Sequence, residues 1–249
     1  MSQLVRDSRA QPTSRRHRPG AIVAQAISAQ AGTATTTASE PWLQTIVGRL
    51  TPHEWRRRLV HMTPGVLAAT LPLLPHTDPL AWYSQAFLVV VICGTAMYSI
   101  TRAKMFERRG QGGWSVSVVS YALITLGLLL AFPAQTEIGI AVTMIIAFGD
   151  GSATMAGMIF RGPKLPWNRD KSWSGLAAFV VCAVPLATFV YWAESHPGVS
   201  VAIALCCVTP AVVAAAVAES LPLRLNDNIR VGATSGLTIL LTHAMFVGY

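Results

Sequence analysis

Residues 136–161 read TEIGIAVTMIIAFGDGSATMAGMIFR. A helix rising about 1.5 Å per residue crosses the roughly 30 Å hydrocarbon core of a bilayer in about 20 residues, and this stretch supplies them. Its interior holds one acid, Asp150, roughly 20 Å along the axis from Thr136. A carboxylate at that depth costs roughly 2.5–3.5 kcal/mol on insertion scales, which makes Asp150 a candidate for chemistry rather than packing. Gly149, Ala153 and Gly157 form a small-residue row along which a second helix or a ligand can approach closely. Asp150, Thr154 and Arg161 share roughly one helical face.

Outward from this stretch the pattern repeats. Apolar blocks at about 59–75, 80–100, 114–133, 136–160, 173–193, 198–218 and 229–247 are separated by short polar or Pro/Gly breaks. The chain of 249 residues is 52% apolar and 12% charged, with a mean hydropathy of +0.47. A soluble domain carries roughly 25% charge, so an ordinary water-soluble globule is excluded. The expected fold is all-α, a polytopic integral membrane protein with about seven transmembrane helices. The first block is short and holds Pro64 and Pro72, so a kinked or re-entrant segment is expected there.

The charges orient this layout. Lys and Arg number 19 against 11 Asp and Glu, a formal +8. The basic residues lie before block one, between blocks two and three, between four and five, and at the boundary of six and seven, while the alternate segments hold Asp78, Glu137 and Glu194. The positive-inside rule therefore puts the N-terminus in the cytoplasm and the C-terminus outside. Residues 1–50, rich in Arg, Ser, Thr and Ala, read as a disordered basic tail, and residues 51–249 as the membrane domain. No stacking-aromatic and basic surface suited to nucleic acid can be traced. Cys93, Cys182, Cys206 and Cys207 sit in apolar stretches without ligand spacing and read as reduced packing residues.

Three further segments carry candidate chemistry on the cytoplasmic side. The loop RGPKLPWNRDKSWSG places Arg161, Lys164, Arg169 and Lys171 before Ser172 and Ser174 at a helix start. Cations beside the free N–H groups of a helix N-terminus suit phosphate, although positive-inside anchoring explains the same cluster. In AVAESLPLRLNDNIRVG, Glu219 closes one helix and Asp227 with Asn226 and Asn228 opens the next. Hard oxygen ligands of this kind hold Mg²⁺ through one or two carboxylates plus substrate phosphates, and Asp150, Glu219 and Asp227 are the candidate metal set. In HEWRRRLVHMTPG, Glu54 and His61 share a face beside Arg57 and Arg58. Arginines in that position usually meet lipid headgroups. The other histidines, including His76 and His243, show no partner in sequence and read as structural.

These segments resemble the polyprenol kinase family, which includes dolichol, phytol and farnesol kinases and the CTP-dependent diacylglycerol kinases. The likeness covers about residues 53–249 and rests on EWRRRLVH, GDGSATMAGMIFRG, WNRDKSWSG and ESLPLRLNDN, the last most like the phytol and farnesol kinase branch. The resemblance implies a multi-pass enzyme that moves the terminal phosphate of a nucleoside triphosphate, CTP or else ATP or UTP, to a membrane lipid alcohol. It places Asp150, Gly151, Gly157, Lys171, Ser172 and Gly175 in the nucleotide site and Glu219, Asp227 and Asn228 in the catalytic or metal region, Asp150 and Lys171 being expected to act in catalysis as well. The loop cations Arg161 and Lys164 are expected to join the nucleotide set at the phosphates, beside Asn228. The family commonly has an acidic residue where this chain has Ser174; if that carboxylate is needed for metal or base work, Asp150, Glu219 or Asp227 supplies it or the activity is reduced or altered.

A phosphatidate cytidylyltransferase has a similar Gly-Asp run and basic loop, but its C-terminal H-G-G and D-R signature is missing here. An ion-coupled transporter in which Asp150 binds the ion is disfavoured by the lack of an internal repeat and by polar groups confined to one face. A non-catalytic scaffold predicts that changes at Asp150 and Lys171 alter folding alone.

Overall fold

The computed structural model describes residues 50–106 and 113–248. The basic tail expected over residues 1–50 falls, Leu50 apart, outside the described residues. A helix forms at each of the seven apolar blocks: α1 (Pro52–Ala68), α2 (Trp82–Thr101), α3 (Trp114–Ala131), α4 (Thr136–Phe160), α5 (Trp173–Glu194), α6 (Val201–Ser220) and α7 (Asp227–Phe246). Helices α2 to α6 are each long and apolar enough to cross a membrane. The protein is an all-α polytopic membrane protein. Among the described residues, β pairing is limited to one antiparallel bridge between Lys164 and Ser172.

The first helix starts at Pro52 rather than near residue 59. Thr51 is its N-cap and accepts a hydrogen bond from the Glu54 backbone N–H at 3.2 Å, and Pro52 takes the first-turn position where a missing N–H costs nothing. The charged run EWRRR is therefore helical. α1 continues through Pro64, and Pro72 falls in a separate 3₁₀ turn, Leu71–Leu73.

Burial ranks the helices. No residue of α2 is buried, so its apolar surface is left for lipid, whereas 78% of the most apolar stretch of α4 is buried. α4 is the central element. Ile138, Ile140, Val142, Ile145 and Ile146 on α4 meet Phe179 and Val190 on α5, Val208 and Val212 on α6, and Ile239 on α7 in one core. Its backbone is α-helical over Thr136–Met144, widens to a π-helical turn over Ile145–Asp150, and returns to α-helix over Gly151–Phe160. Such turns interrupt the regular i→i+4 ladder and concentrate at functional sites.

The small-residue row admits a helix. A Cβ at Gly149 would lie 2.6 Å from the Phe179 ring, and one at Gly175 would lie 2.8 Å from the Ala153 carbonyl oxygen. These contacts seat the first half of α5 against the second half of α4.

The opposite end of the bundle corrects the expectation that polar groups are confined to one face. Glu194 closes α5 there, fully buried, with one carboxylate oxygen 3.0 Å from His76 Nε2 and accepting from the Thr136 hydroxyl at 2.9 Å. Nearby, His243 Nδ1 lies 2.6 Å from the Tyr191 hydroxyl and 3.6 Å from Glu137. His76 and His243, partnerless in the linear sequence, gain these partners because burial of a carboxylate demands them.

Candidate active site

Four segments, three of them carrying basic residues, converge on one cavity of about 710 Å³. α1 contributes Arg57, Arg58 and His61, α4 contributes Asp150, Thr154 and Gly157, the α4–α5 connection contributes Lys164, Asp170 and Lys171, and the α6–α7 connection contributes Glu219, Arg224 and Asp227. Asp150 and Glu219 are buried, while the Asp227 side chain is 43% exposed. One oxygen from each of these three carboxylates lies within 4.8 Å of the others.

Each carboxylate is matched by a cation. Asp150 Oδ2 sits 3.3 Å from His61 Nε2 and 3.6 Å from Arg58 Nη1. The Lys171 ammonium bonds Glu219 and lies 3.8 Å from Asp227 Oδ2. Burial pulls the Lys171 pKa down, but Glu219, Asp150 and Asp227 together outweigh it and hold the ammonium above the ordinary lysine range. The arginine run of α1 divides by face. Arg56 is exposed, whereas Arg57 and Arg58 turn to the cavity, with the Arg57 guanidinium 5.9 Å from the centre of the Trp114 ring. The headgroup role expected for Arg57 and Arg58 is thereby corrected; the early start of α1 brings them beside α4.

Both connections are fixed to the bundle. Trp167 Nε1 donates to the Ser220 hydroxyl at 3.1 Å and the Asn168 amide donates to the Ser220 carbonyl at 3.0 Å, pinning the basic loop to the end of α6. Ser172 caps α5 by accepting from Gly175 N–H at 3.2 Å. Arg230, buried one turn into α7, donates to the Ala218 and Leu221 carbonyls at 2.9 and 2.8 Å and bonds Asp227, so it closes the α6–α7 connection over its own guanidinium. The Asn228 amide donates to Ser117 at 2.8 Å and ties that connection to α3.

Among the residues singled out in sequence, Asp150, Lys171, Glu219, Asp227, Gly157, Lys164, Ser172, Gly175, Asn228, Arg57, Arg58 and His61 line the cavity. Gly151, Arg161 and Glu54 do not. Gly151 faces Met62 on α1, and a Cβ there would lie 2.4 Å from the Met62 methyl. Arg161 ends α4 in a left-handed conformation at φ +47° and is exposed, which takes it off the face shared by Asp150 and Thr154. Glu54 lies 3.9 Å from Arg57. Ser174, at the position where an acid is usual, contacts the Ser172 hydroxyl at 3.1 Å, so the carboxylates of the cavity come from the other helices. Sequence reading missed Arg230, Trp167 and Ser220. A charge at the second position of the last apolar block was the available signal for Arg230; the contacts of Trp167 and Ser220 span 53 residues and leave no local trace.

Comparison with known proteins bears on the same stretch. The chain is 30% identical over 213 residues to "Probable phytol kinase, chloroplastic" of Triticum aestivum, an alignment covering 78% of this chain and 69% of that protein. The chain belongs to the phytol kinase family. Two other relatives are "Probable phytol kinase, chloroplastic" of Zea mays, 27% identical over 220 residues (78% of this chain, 68% of the relative), and "Probable phytol kinase 2, chloroplastic" of Glycine max, 27% identical over 213 residues (78% and 67%). No protein-family model and no solved structure matches the chain. In this phytol kinase family member, the cavity lies where the carboxylates of three helices meet the basic connection.

Proposed function

We propose that the protein is an integral membrane kinase that transfers the terminal phosphate of a nucleoside triphosphate, CTP in the first instance, to the hydroxyl of a lipid alcohol of the isoprenoid class such as phytol. The carrying observation is the meeting of three carboxylates within 4.8 Å of one another with Lys171 in a cavity at one end of an apolar bundle. Phosphoryl transfer depends on positioning and charge neutralisation more than on covalent chemistry. That is what this set of side chains offers. The phytol kinase relatives supply the acceptor class, and the likeness of the motifs supplies CTP. The cavity faces the cytoplasm by the distribution of Lys and Arg.

The donor set fits a hard divalent cation: the oxygens are carboxylates, and Lys171 already shows that a cation sits between Glu219 and Asp227. Glu219 and Asp227 would hold Mg²⁺, which supplies charge neutralisation at the phosphates when bound. Lys171, Lys164, Arg57 and Arg58 bind the remaining phosphate charge. Asp150, against α1 on the helix-lined wall, orients the acceptor hydroxyl and takes its proton. The alcohol oxygen forms the new bond to the γ-phosphorus as the bond to the β,γ-bridging oxygen breaks, leaving lipid monophosphate and nucleoside diphosphate.

The test uses detergent-solubilised full-length protein, a panel of phytol, farnesol, dolichol and diacylglycerol, and CTP, ATP and UTP labelled at the α- or γ-phosphate. Label should reach lipid from the γ position only, and Asp150→Asn should lower the rate about 10²–10⁴-fold. Transfer of α-label to lipid, or wild-type rates in Asp150→Asn, refutes the assignment.

A further inference from the structure

We infer that His61 is a positioning residue that sets the angle of the Asp150 carboxylate by spanning it and a backbone carbonyl inside the π-helical turn; this rests on the role of Asp150 proposed above. Nε2 of His61 lies 3.3 Å from the Ile146 carbonyl oxygen and 3.3 Å from Asp150 Oδ2. A carbonyl can only accept, so Nε2 carries the hydrogen and shares it between the two oxygens. Ile146 and Asp150 are both within the six-residue turn Ile145–Asp150, where the widened backbone departs from the i→i+4 ladder and its carbonyls turn toward outside donors. The turn and the histidine thus form one unit. α4 offers the acceptors and α1 delivers the donor.

The imidazole is itself held. Its ring packs 5.5 Å from the Tyr121 ring at 52°, and the Tyr121 hydroxyl donates to the Thr143 carbonyl at 3.0 Å, just before the widened turn. Thr143 in turn donates to the Thr125 hydroxyl at 3.1 Å, on the same helix as Tyr121. Tyr121 and Thr125 on α3 therefore brace both the histidine and the segment it caps. Arg58 Nη1 approaches the same Asp150 oxygen, Oδ2, at 3.6 Å. His61 and Arg58 of α1 both meet Oδ2, and Oδ1 is left to meet the acceptor hydroxyl. Outer partners that orient a reactive group in this way are commonly worth about 10–100-fold in activity.

The experiment compares His61→Gln with His61→Asn in the full chain, assayed with phytol and γ-labelled CTP. The glutamine amide nitrogen reaches to the position of Nε2, whereas that of asparagine reaches only to that of Nδ1, and both are polar and neutral. The expected result is a kcat for His61→Asn about 30–100-fold below wild type with the nucleotide KM unchanged, and recovery of at least about tenfold of that loss in His61→Gln. In an Asp150→Asn background, His61→Asn should cost nothing further. Equal losses in the two variants, a loss carried by nucleotide KM, or an undiminished effect in the Asp150→Asn background overturns the inference. Full activity of Asp150→Asn alone instead overturns the role of Asp150, and with it the reading on which this one stands. Equal thermal melting of the two variants separates positioning from folding. If His61→Asn does not fold, Tyr121→Phe, which keeps the ring and loses the bond to Thr143, takes its place and should lower kcat without raising KM; wild-type kcat there overturns the inference.

Discussion

Lys171→Met tests the electrostatics of the cavity directly. The ammonium bonds Glu219 and lies 3.8 Å from Asp227, and the three carboxylates it accompanies are within 4.8 Å of one another. Asp227 is 43% exposed, so water screens its share. Asp150 and Glu219 are buried, and two unit charges 4.8 Å apart repel by about 3.5 kcal/mol at an effective dielectric near 20. Proton uptake by the pair makes that an upper bound. At about 2–4 °C per kcal/mol, the melting temperature of the variant without divalent ions should fall by up to about 14 °C. Millimolar Mg²⁺ should return most of this loss and stabilise the variant more than the wild type, because the uncovered acids now need a counter-ion. The assay is thermal unfolding in detergent with and without Mg²⁺, alongside γ-phosphate transfer, which should drop about 10²–10³-fold. An unchanged melting temperature, or equal Mg²⁺ responses in the two proteins, would refute the reasoning. The pH dependence has a definite sign. The carboxylates raise the Lys171 pKa, so its stabilisation is complete below the unfolded-state value near 10.4 and fades as pH rises through the higher folded-state value. The difference in melting temperature between wild type and variant should thus persist to about pH 9.

Arg230→Met removes a buried guanidinium that serves two carbonyls and Asp227; a cost of about 3–5 kcal/mol in unfolding free energy and loss of transfer activity are expected, measured by chemical denaturation and the labelling assay. Gly175→Ala puts a methyl 2.8 Å from the Ala153 carbonyl, forcing α4 and α5 apart, and should lower both melting temperature and kcat, with Gly94→Ala, where nothing lies within 4 Å, as the silent control. His76→Ala leaves a fully buried carboxylate, Glu194, without its imidazole partner at the far end of the bundle. That variant should melt earlier by the equivalent of about 1–3 kcal/mol while its nucleotide KM stays at the wild-type value.

The seven blocks were legible because hydrocarbon imposes length and apolarity on every span, and the grouping of basic residues showed which ends lie together. Asp150, Glu219, Asp227 and Lys171 were legible for a related reason: a charge within or beside a span is costly enough to stand out. The start of α1 was misplaced because its first turns, EWRRR, are polar and hydropathy ignores them, although Thr51 and Pro52 carried the capping signal. Of the glycines, Gly175 lines the cavity while also seating α5 against α4, whereas Gly151 lies off the cavity against Met62, and nothing in a Gly-rich run distinguishes a neighbouring helix from a phosphate. Pairings such as Trp167 with Ser220, Asn228 with Ser117 and His76 with Glu194 arise only when distant segments pack, and no local period encodes them.

The six-residue turn at Ile145–Asp150 ties the count of residues in α4 to the aim of its acid. A helix advances about 100° with each residue, and a π turn absorbs one more residue than an α turn does. Deleting any single position from 145 to 148 would take out the residue the π turn absorbs and let the segment relax to an unbroken α-helix, leaving the halves on either side in nearly the same relative orientation while removing the widened turn that presents the Ile146 carbonyl to His61. The chain length between Met144 and Gly149 is therefore as much a determinant of the cavity as the identity of any residue within it.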